Sequence, residues 1–181
     1  MPLALRTPRL ILREWRDSDA EPFAAMLADP EVMRYLAGFP DRAPINDWIA
    51  RARVHWAEHG WGKFVVEVPD EAAFAGVVGL DHVAFDVPFA PAVEVLWRLA
   101  RPFWRRGFAT EAARAVIDDG LLRLGLPEIV AFTVVGNGPS RRVMERLGMT
   151  RGSNDDFDFL HPRLPAGHPL QRHVLYRLRR K

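Results

Sequence analysis

The apolar residues of this chain follow two rhythms. At Ala109, Ala112, Ala113, Val116, Ile117, Gly120, Leu121 and Leu124 they recur at i, i+3 and i+4, while Glu111, Arg114, Asp118 and Arg123 fall between them. That spacing predicts a helix with one buried face. Gly125 and Pro127 follow; the first tolerates positive φ and the second cannot continue a helix. Runs of β-branched and aromatic residues occupy Lys63 to Val68, Phe74 to Val83, Val93 to Leu99 and Ile129 to Val135. The Pro69-Asp70 turn signal makes a hairpin of the first two. Leu10 to Leu12, flanked by Arg9 and Arg13, predicts a first strand, and the alternation in His173 to Leu178 a closing one.

Asp17-Ser18-Asp19 offers N-caps for a helix through Leu27, which Asp29-Pro30 breaks. A short helix is expected over Glu31 to Leu36, and a longer one from Pro44 and Asn46 to Glu58, closed by Gly60. After the strand ending at Val135, Arg141 to Leu147 reads as a two-turn helix stopped by Gly148. So short a helix is not stable alone in water and must pack on a sheet. Hairpins early and strand-helix-strand units late give an α/β (α+β) fold, a mixed central sheet of six or seven strands with helices on both faces. Residues 1–181 read as one domain, since no stretch of the 181 has the composition of a linker.

Composition narrows the function. No apolar run reaches the roughly 18 residues of a membrane span, and Met1 to Arg6 lack the apolar core of a signal peptide. The expectation is a cytoplasmic protein. The absence of cysteine removes disulfides, thiol nucleophiles and thiolate metal sites. Net charge is +2, and of the 25 cations only Lys63 and Lys181 are Lys. Arg is the better fork for phosphate, and a GC-rich genome gives the same bias. The Arg residues are dispersed among acids rather than gathered in a stripe with aromatics, so no direct nucleic-acid binding is expected.

One turn stands out. Trp104-Arg105-Arg106-Gly107-Phe108-Ala109-Thr110 carries the chain from the Val93–Leu99 strand into the long helix. The first N–H groups of a helix have no internal acceptor. Gly107 and Ala109 leave them accessible, and two guanidinium groups stand close by. Such a turn suits an anion, with phosphate the obvious one.

These residues resemble the acyl-coenzyme A site of the GNAT superfamily of N-acetyltransferases. Gly107 and Ala109 match the last two positions of its Gln/Arg-x-x-Gly-x-Gly/Ala loop, with Trp104 in the Gln/Arg slot. Asn137-x-x-Ser140-x-x-Val143-x-Glu145-Arg146-Leu147-Gly148-Met149 resembles the family's other cofactor-facing segment. Thr7 to Arg13 and Asp29 to Met33 resemble the opening of the RimJ/RimL-type branch, which includes acetyltransferases of ribosomal-protein N-termini. The tail, from Asp156 through His161-Pro162 and Gly167-His168 to Tyr176, is similar to a bacterial subgroup. The resemblance implies acetyl-CoA as donor, a protein N-terminus or small-molecule amine as acceptor, direct attack in a ternary complex, and a monomer or homodimer. It also implies roles along the chain. Leu99 and Ala100 would offer an amide to the thioester carbonyl. Arg105, Arg106, Gly107, Phe108, Ala109 and Thr110 would hold the pyrophosphate, with Arg101, Arg105 or Arg106 for the remaining phosphate, and Asn137 and Ser140 would face the cofactor.

Attack of an amine on a thioester needs a base, a polarised carbonyl and an acid for the leaving thiolate. Glu94 is the first candidate base: it precedes the loop where family members carry a catalytic Glu, and Val93, Val95 and Trp97 around it would raise its pKa. The alternative is a charge on an exposed face or paired with an Arg. His82, beside Asp81 at a strand end, is the second candidate. Met144 holds the slot where the family usually places an acidic Tyr, which moves that role to Ser140; helix capping is its competing use, as for Asn137. The cluster Asp155, Asp156 and Asp158 would attract a cationic acceptor or form a solvated turn.

Two rival classes remain in view. One is a non-catalytic acyl-CoA sensor, suggested by the missing Tyr. The other is a zinc peptidase, because His55-Trp56-Ala57-Glu58-His59 fits His-x-x-Glu-His. No third ligand is evident for that pair, the irregular spacing of His161, His168 and His173 suits surface positions, and no metal is expected.

Overall fold

The computed structural model describes residues 4–36, 45–84, 86–159, 164–165 and 167–180. Pro44 and the His161-Pro162 pair lie outside the described residues. The elements in chain order are β1 (Leu5–Arg6), β2 (Ile11–Arg13), α1 (Ala20–Ala28), α2 (Pro30–Met33), α3 (Ile45–His59), β3 (Lys63–Val68) and β4 (Ala72–His82). Then come β5 (Val93–Leu99), α4 (Phe108–Leu122), β6 (Glu128–Val134), α5 (Gly138–Arg146), β7 (Phe157–Asp158) and β8 (Arg172–Arg179). The strands form one sheet in the order β1-β2-β3-β4-β5-β6-β8-β7.

This sheet has eight strands where the periodicity predicts six or seven. The additions are the edge strands β1 and β7, each two residues long. Two residues are too few to establish a period. The short helix expected to Leu36 ends at Met33. The last one begins at Gly138 rather than Arg141, because Asn137 caps it and Pro139 fits its first turn.

Successive residues of a strand face opposite ways, and the helices divide accordingly. On one face Ala112, Ala113, Val116 and Ile117 of α4 pack with Val78, Leu80, Val95 and Ile129, and Met144 and Leu147 of α5 join them. On the other, Phe23 and Met26 of α1 and Ile49 and Ala52 of α3 pack with Val65 and Val77. Gly120 allows α4 this approach: a Cβ there would lie 2.8 Å from Ile129 Cδ1 and 2.9 Å from Leu80 Cδ1. No helix among the described residues is long and apolar enough to cross a membrane.

Every described pairing is antiparallel except β5 with β6, which is parallel and registers Glu94 with Val130. Beyond that point the two strands part. Leu96 and Leu99 on one and Phe132 and Thr133 on the other line a shared cavity.

Candidate active site

The cavity is a cleft of about 1860 Å³, larger than the roughly 300–1,000 Å³ that holds one small ligand. It has room for two. Glu94, Leu99, Arg105, Gly107, Phe108, Ala109, Thr110, Asn137 and Ser140 all line it, so residues predicted from distant stretches of sequence converge here.

At one end the chain turns into α4. Arg105 and Gly107 take left-handed backbone angles, φ 60° and 82°, which curls the peptide into a concave run of amides. Gly107 is the N-cap, and the first intrahelical donor is Glu111 N–H, to the Gly107 carbonyl. The amides of Phe108, Ala109 and Thr110 therefore have no acceptor within the helix. The loop is closed from below. A Cβ on Gly107 would meet Arg9 Nη2 at 3.3 Å, so a side chain here crowds the turn. These features fit a phosphate-bearing group.

Arg9 is the residue that sequence reasoning missed. Its Nη1 donates to the Arg106 carbonyl at 2.9 Å, and its Nε donates to Glu111 Oε2 at 2.7 Å. Thr7 Oγ1 donates to Glu111 Oε1 at 2.6 Å. Thr7-Pro8-Arg9 and Glu111 thus buttress the turn from behind. The signal was a Glu in the first turn of the helix, a position where a negative charge is favoured.

Three expected cofactor residues are engaged elsewhere. The Ala100 N–H donates to Ala75 O at 2.9 Å, inside the sheet. By the alternation of an antiparallel ladder, the Leu99 N–H turns the other way, toward β6. The Leu99 carbonyl accepts a hydrogen bond from Trp104 Nε1 at 2.7 Å, so the aromatic residue in the Gln/Arg slot secures the strand end. Arg101 pairs with Asp29 at 3.0 Å. Arg106 makes a two-fold contact with Glu71, at 2.5 and 2.7 Å. Arg105 is left as the guanidinium of the turn that lines the cleft.

Glu94 sits on the cleft wall, walled closely by protein. Burial, then repulsion from Asp81, push its carboxyl up to about 7, while Lys63 acts in the opposite sense. His82 does not enter the cleft. It is exposed, its backbone N–H donates to Asp81 Oδ1, and its ring packs with Trp61, His55 and His59. The His55 and His59 rings lie 4.5 Å apart in the same aromatic cluster. Among the described residues no group of three His, Asp or Glu is placed to hold a metal. His168 Nδ1 accepts from the Leu170 N–H, and His173 stacks on Phe157.

At the far side of the cleft, Asn137 Oδ1 accepts from the Ser140 N–H at 3.3 Å and its Nδ2 donates to Thr133 Oγ1 at 2.9 Å. The cap of α5 is therefore Asn137, and Ser140 stands in the first turn, half-buried on the cleft wall. Met144 is fully buried against the sheet. Each acid of the cluster has an arginine partner, with Asp155 and Asp156 half-buried and Asp158 exposed to solvent. Asp155 pairs with Arg177, Asp156 with Arg151 and Asp158 with Arg172.

A mixed sheet that parts at its parallel pair, with a turn of amides lacking helical acceptors at one end of the cleft and a half-buried carboxyl on its wall, is an arrangement suited to an acyltransferase. The chain belongs to the acetyltransferase (GNAT) family, whose domain matches residues 9–150. It is similar to the uncharacterized N-acetyltransferase YoaA of Bacillus subtilis, 31% identical over 153 residues, 81% of this chain and 82% of that protein. The acetyltransferase from Agrobacterium tumefaciens has the same fold, with a TM-score of 0.76 and 26% identity over 98% of this chain and 95% of the other. RimL, a ribosomal alpha-N-protein acetyltransferase solved in complex with coenzyme A, shares the fold with a TM-score of 0.77 and 13% identity, covering 98% of each chain.

Proposed function

We propose that this acetyltransferase moves an acetyl group from acetyl-CoA to a primary amine by direct attack within a ternary complex. We read it as a member of the RimJ/RimL-type branch that works in the cytoplasm as a single unit over residues 1–181. The observation that carries this reading is the convergence of Arg105, Gly107, Phe108, Ala109 and Thr110 of the turn with Leu99 and Glu94 on one cleft with room for two ligands.

Acetyl-CoA supplies the acyl group already activated as a thioester. The amides of Arg105 to Thr110 hold its pyrophosphate, and Arg105 meets the remaining phosphate. The Leu99 N–H, turned toward the parting of β5 and β6, polarises the thioester carbonyl. Glu94 removes a proton from the acceptor's ammonium so that a neutral amine attacks. A base that titrates near 7 suits this, being ionised in a useful fraction at neutral pH and still basic. None of the described residues hydrogen-bonds the Ser140 hydroxyl, which is free to deliver a proton to the departing thiolate.

The acceptor is a protein N-terminus or a small amine. The test is release of free thiol from acetyl-CoA, measured against N-terminal peptides and a panel of small amines. Peptide-dependent release supports the RimJ/RimL-type reading, and release with small amines alone replaces it. Binding of acetyl-CoA with no release for any amine would make the protein a sensor.

A further inference from the structure

A row of charge crosses three adjacent strands on the face that floors the cleft. Lys63 on β3, Asp81 on β4 and Glu94 on β5 all line the cavity. Asp81 and Glu94 are direct cross-strand partners, and Lys63 is paired with Gly79, two residues before Asp81 on the same face. Lys63 Nζ forms an ion pair with Asp81 Oδ2 and sits over the Trp48 ring, 5.1 Å from its centre. Asp81 Oδ1 accepts from the His82 N–H at 3.0 Å and faces His55 Nδ1 at 3.6 Å. The side chains of Lys63 and Asp81 are only 17% and 25% exposed. A surface ion pair would show far more.

We infer that Asp81 and Lys63 are positioning residues for Glu94, a charge pair that sets the pH range over which the base works. The inference rests on reading Glu94 as the base. Two carboxylates directly opposite on neighbouring strands destabilise each other, so Asp81 holds the proton on Glu94. Lys63 draws that influence back by neutralising Asp81. The two neighbours act in opposite directions on Glu94, in keeping with the placement. Other titratable groups line the cleft from the surrounding elements: Glu21 on α1, Glu31 on α2 with Arg34 and Tyr35 just beyond it, Arg51 on α3, Arg98 on β5, Arg105 in the turn, Arg142 and Arg146 on α5, and His173 on β8. Behind Asp81 stand His55, His59 and His82, and burial lowers the pKa of His55. None of these is a cross-strand partner of Glu94.

The test is the pH dependence of kcat/KM in three variants. Asp81→Asn keeps an acceptor for the His82 N–H but removes the charge; it should move the acidic limb down by about one pH unit. Lys63→Met should move it up by about one unit, an ordinary size for a charge at this range. Lys63→Arg keeps the charge and should return the limb to its original place. Opposite displacements on one limb are not what loss of packing gives. Unchanged midpoints, or displacements of the same sign, would overturn the inference. If Lys63→Met does not fold, Asp81→Asn and Lys63→Arg decide it alone. Glu94→Gln separates the two levels. If that variant keeps the original limb, the base reading fails and this inference with it; if it loses the limb while the other variants leave the midpoint in place, only this inference fails.

Discussion

Glu94, the base of the proposed reaction, owes its suitability to where it stands. On a strand of alternating apolar residues it lines a cleft, so protein strips it of most of its water while leaving it open to a substrate. Glu94→Gln should lower turnover by a factor of about 10² to 10⁴, the usual worth of a general base, and remove the rise in activity through about pH 7. Steady-state rates across pH check both. A stability signature follows as well. The carboxyl titrates near 7 in the fold against an ordinary value of 4.5, so between those values the folded protein keeps a proton that the unfolded chain releases. Stability therefore falls as pH rises through that window and levels off above it. Melting curves of Glu94→Gln should lack this fall. At Ser140 the hydroxyl is not the cap of α5. Ser140→Ala should then lower turnover by about 10- to 10³-fold, discounted because a thiolate is a fair leaving group, with melting temperature unchanged. Unchanged turnover would end its role as acid. That Glu94 and Ser140 share one cleft was legible in the sequence because each sits at a fixed distance from a motif. Asp81 and Lys63 were not, because cross-strand register is settled by the folded hairpin and not by local spacing.

At the scale of elements, the strongest periodicities were the most legible. The long helix keeps nearly its whole predicted face, with Ala112, Ala113, Val116, Ile117 and Gly120 buried. The start of α5 was not, because Gly138-Pro139-Ser140 has a turn's composition and only the Asn137 contact to the Ser140 N–H reveals the cap. Asn137→Ala should cost about 1 kcal/mol of stability, read by denaturant unfolding; no loss would return the cap to Ser140. A buried ion-pair network ties β2 and β3 to the N-terminus of α1. Arg13, 5% exposed, donates from Nη1 and Nη2 to the two oxygens of Asp19, 2% exposed, both at 2.8 Å, and from Nε to Glu67 Oε2. Arg13 Nη2 also donates to the Ala73 carbonyl. Asp19→Ala leaves a buried guanidinium short of its partner and should cost roughly 3–5 kcal/mol. A loss near that of a surface pair, about 1 kcal/mol or less, would show that water reaches the site.

At the scale of the molecule, the sheet matters because it parts. β5 and β6 register at Glu94 and Val130 and then diverge, and the turn into α4 lines one end of the cleft. The mixed sheet, the helices on both faces and the tight turn into α4 were all legible from periodicity and punctuation. Which arginines are free was not. Asp29 and Glu71, which occupy Arg101 and Arg106, lie far away in sequence. The central claim is that this turn is where acetyl-CoA binds. The measurement that tests it most directly is calorimetric titration of acetyl-CoA into the native protein and into Gly107→Glu, with melting curves of both. The native protein should bind and, at about 100 times its Kd, gain roughly 2.7 kcal/mol of stability. Gly107→Glu, which puts a side chain and a negative charge into the turn, should remain folded and neither bind nor be stabilised. A folded Gly107→Glu that binds acetyl-CoA as tightly as the native protein would contradict the account.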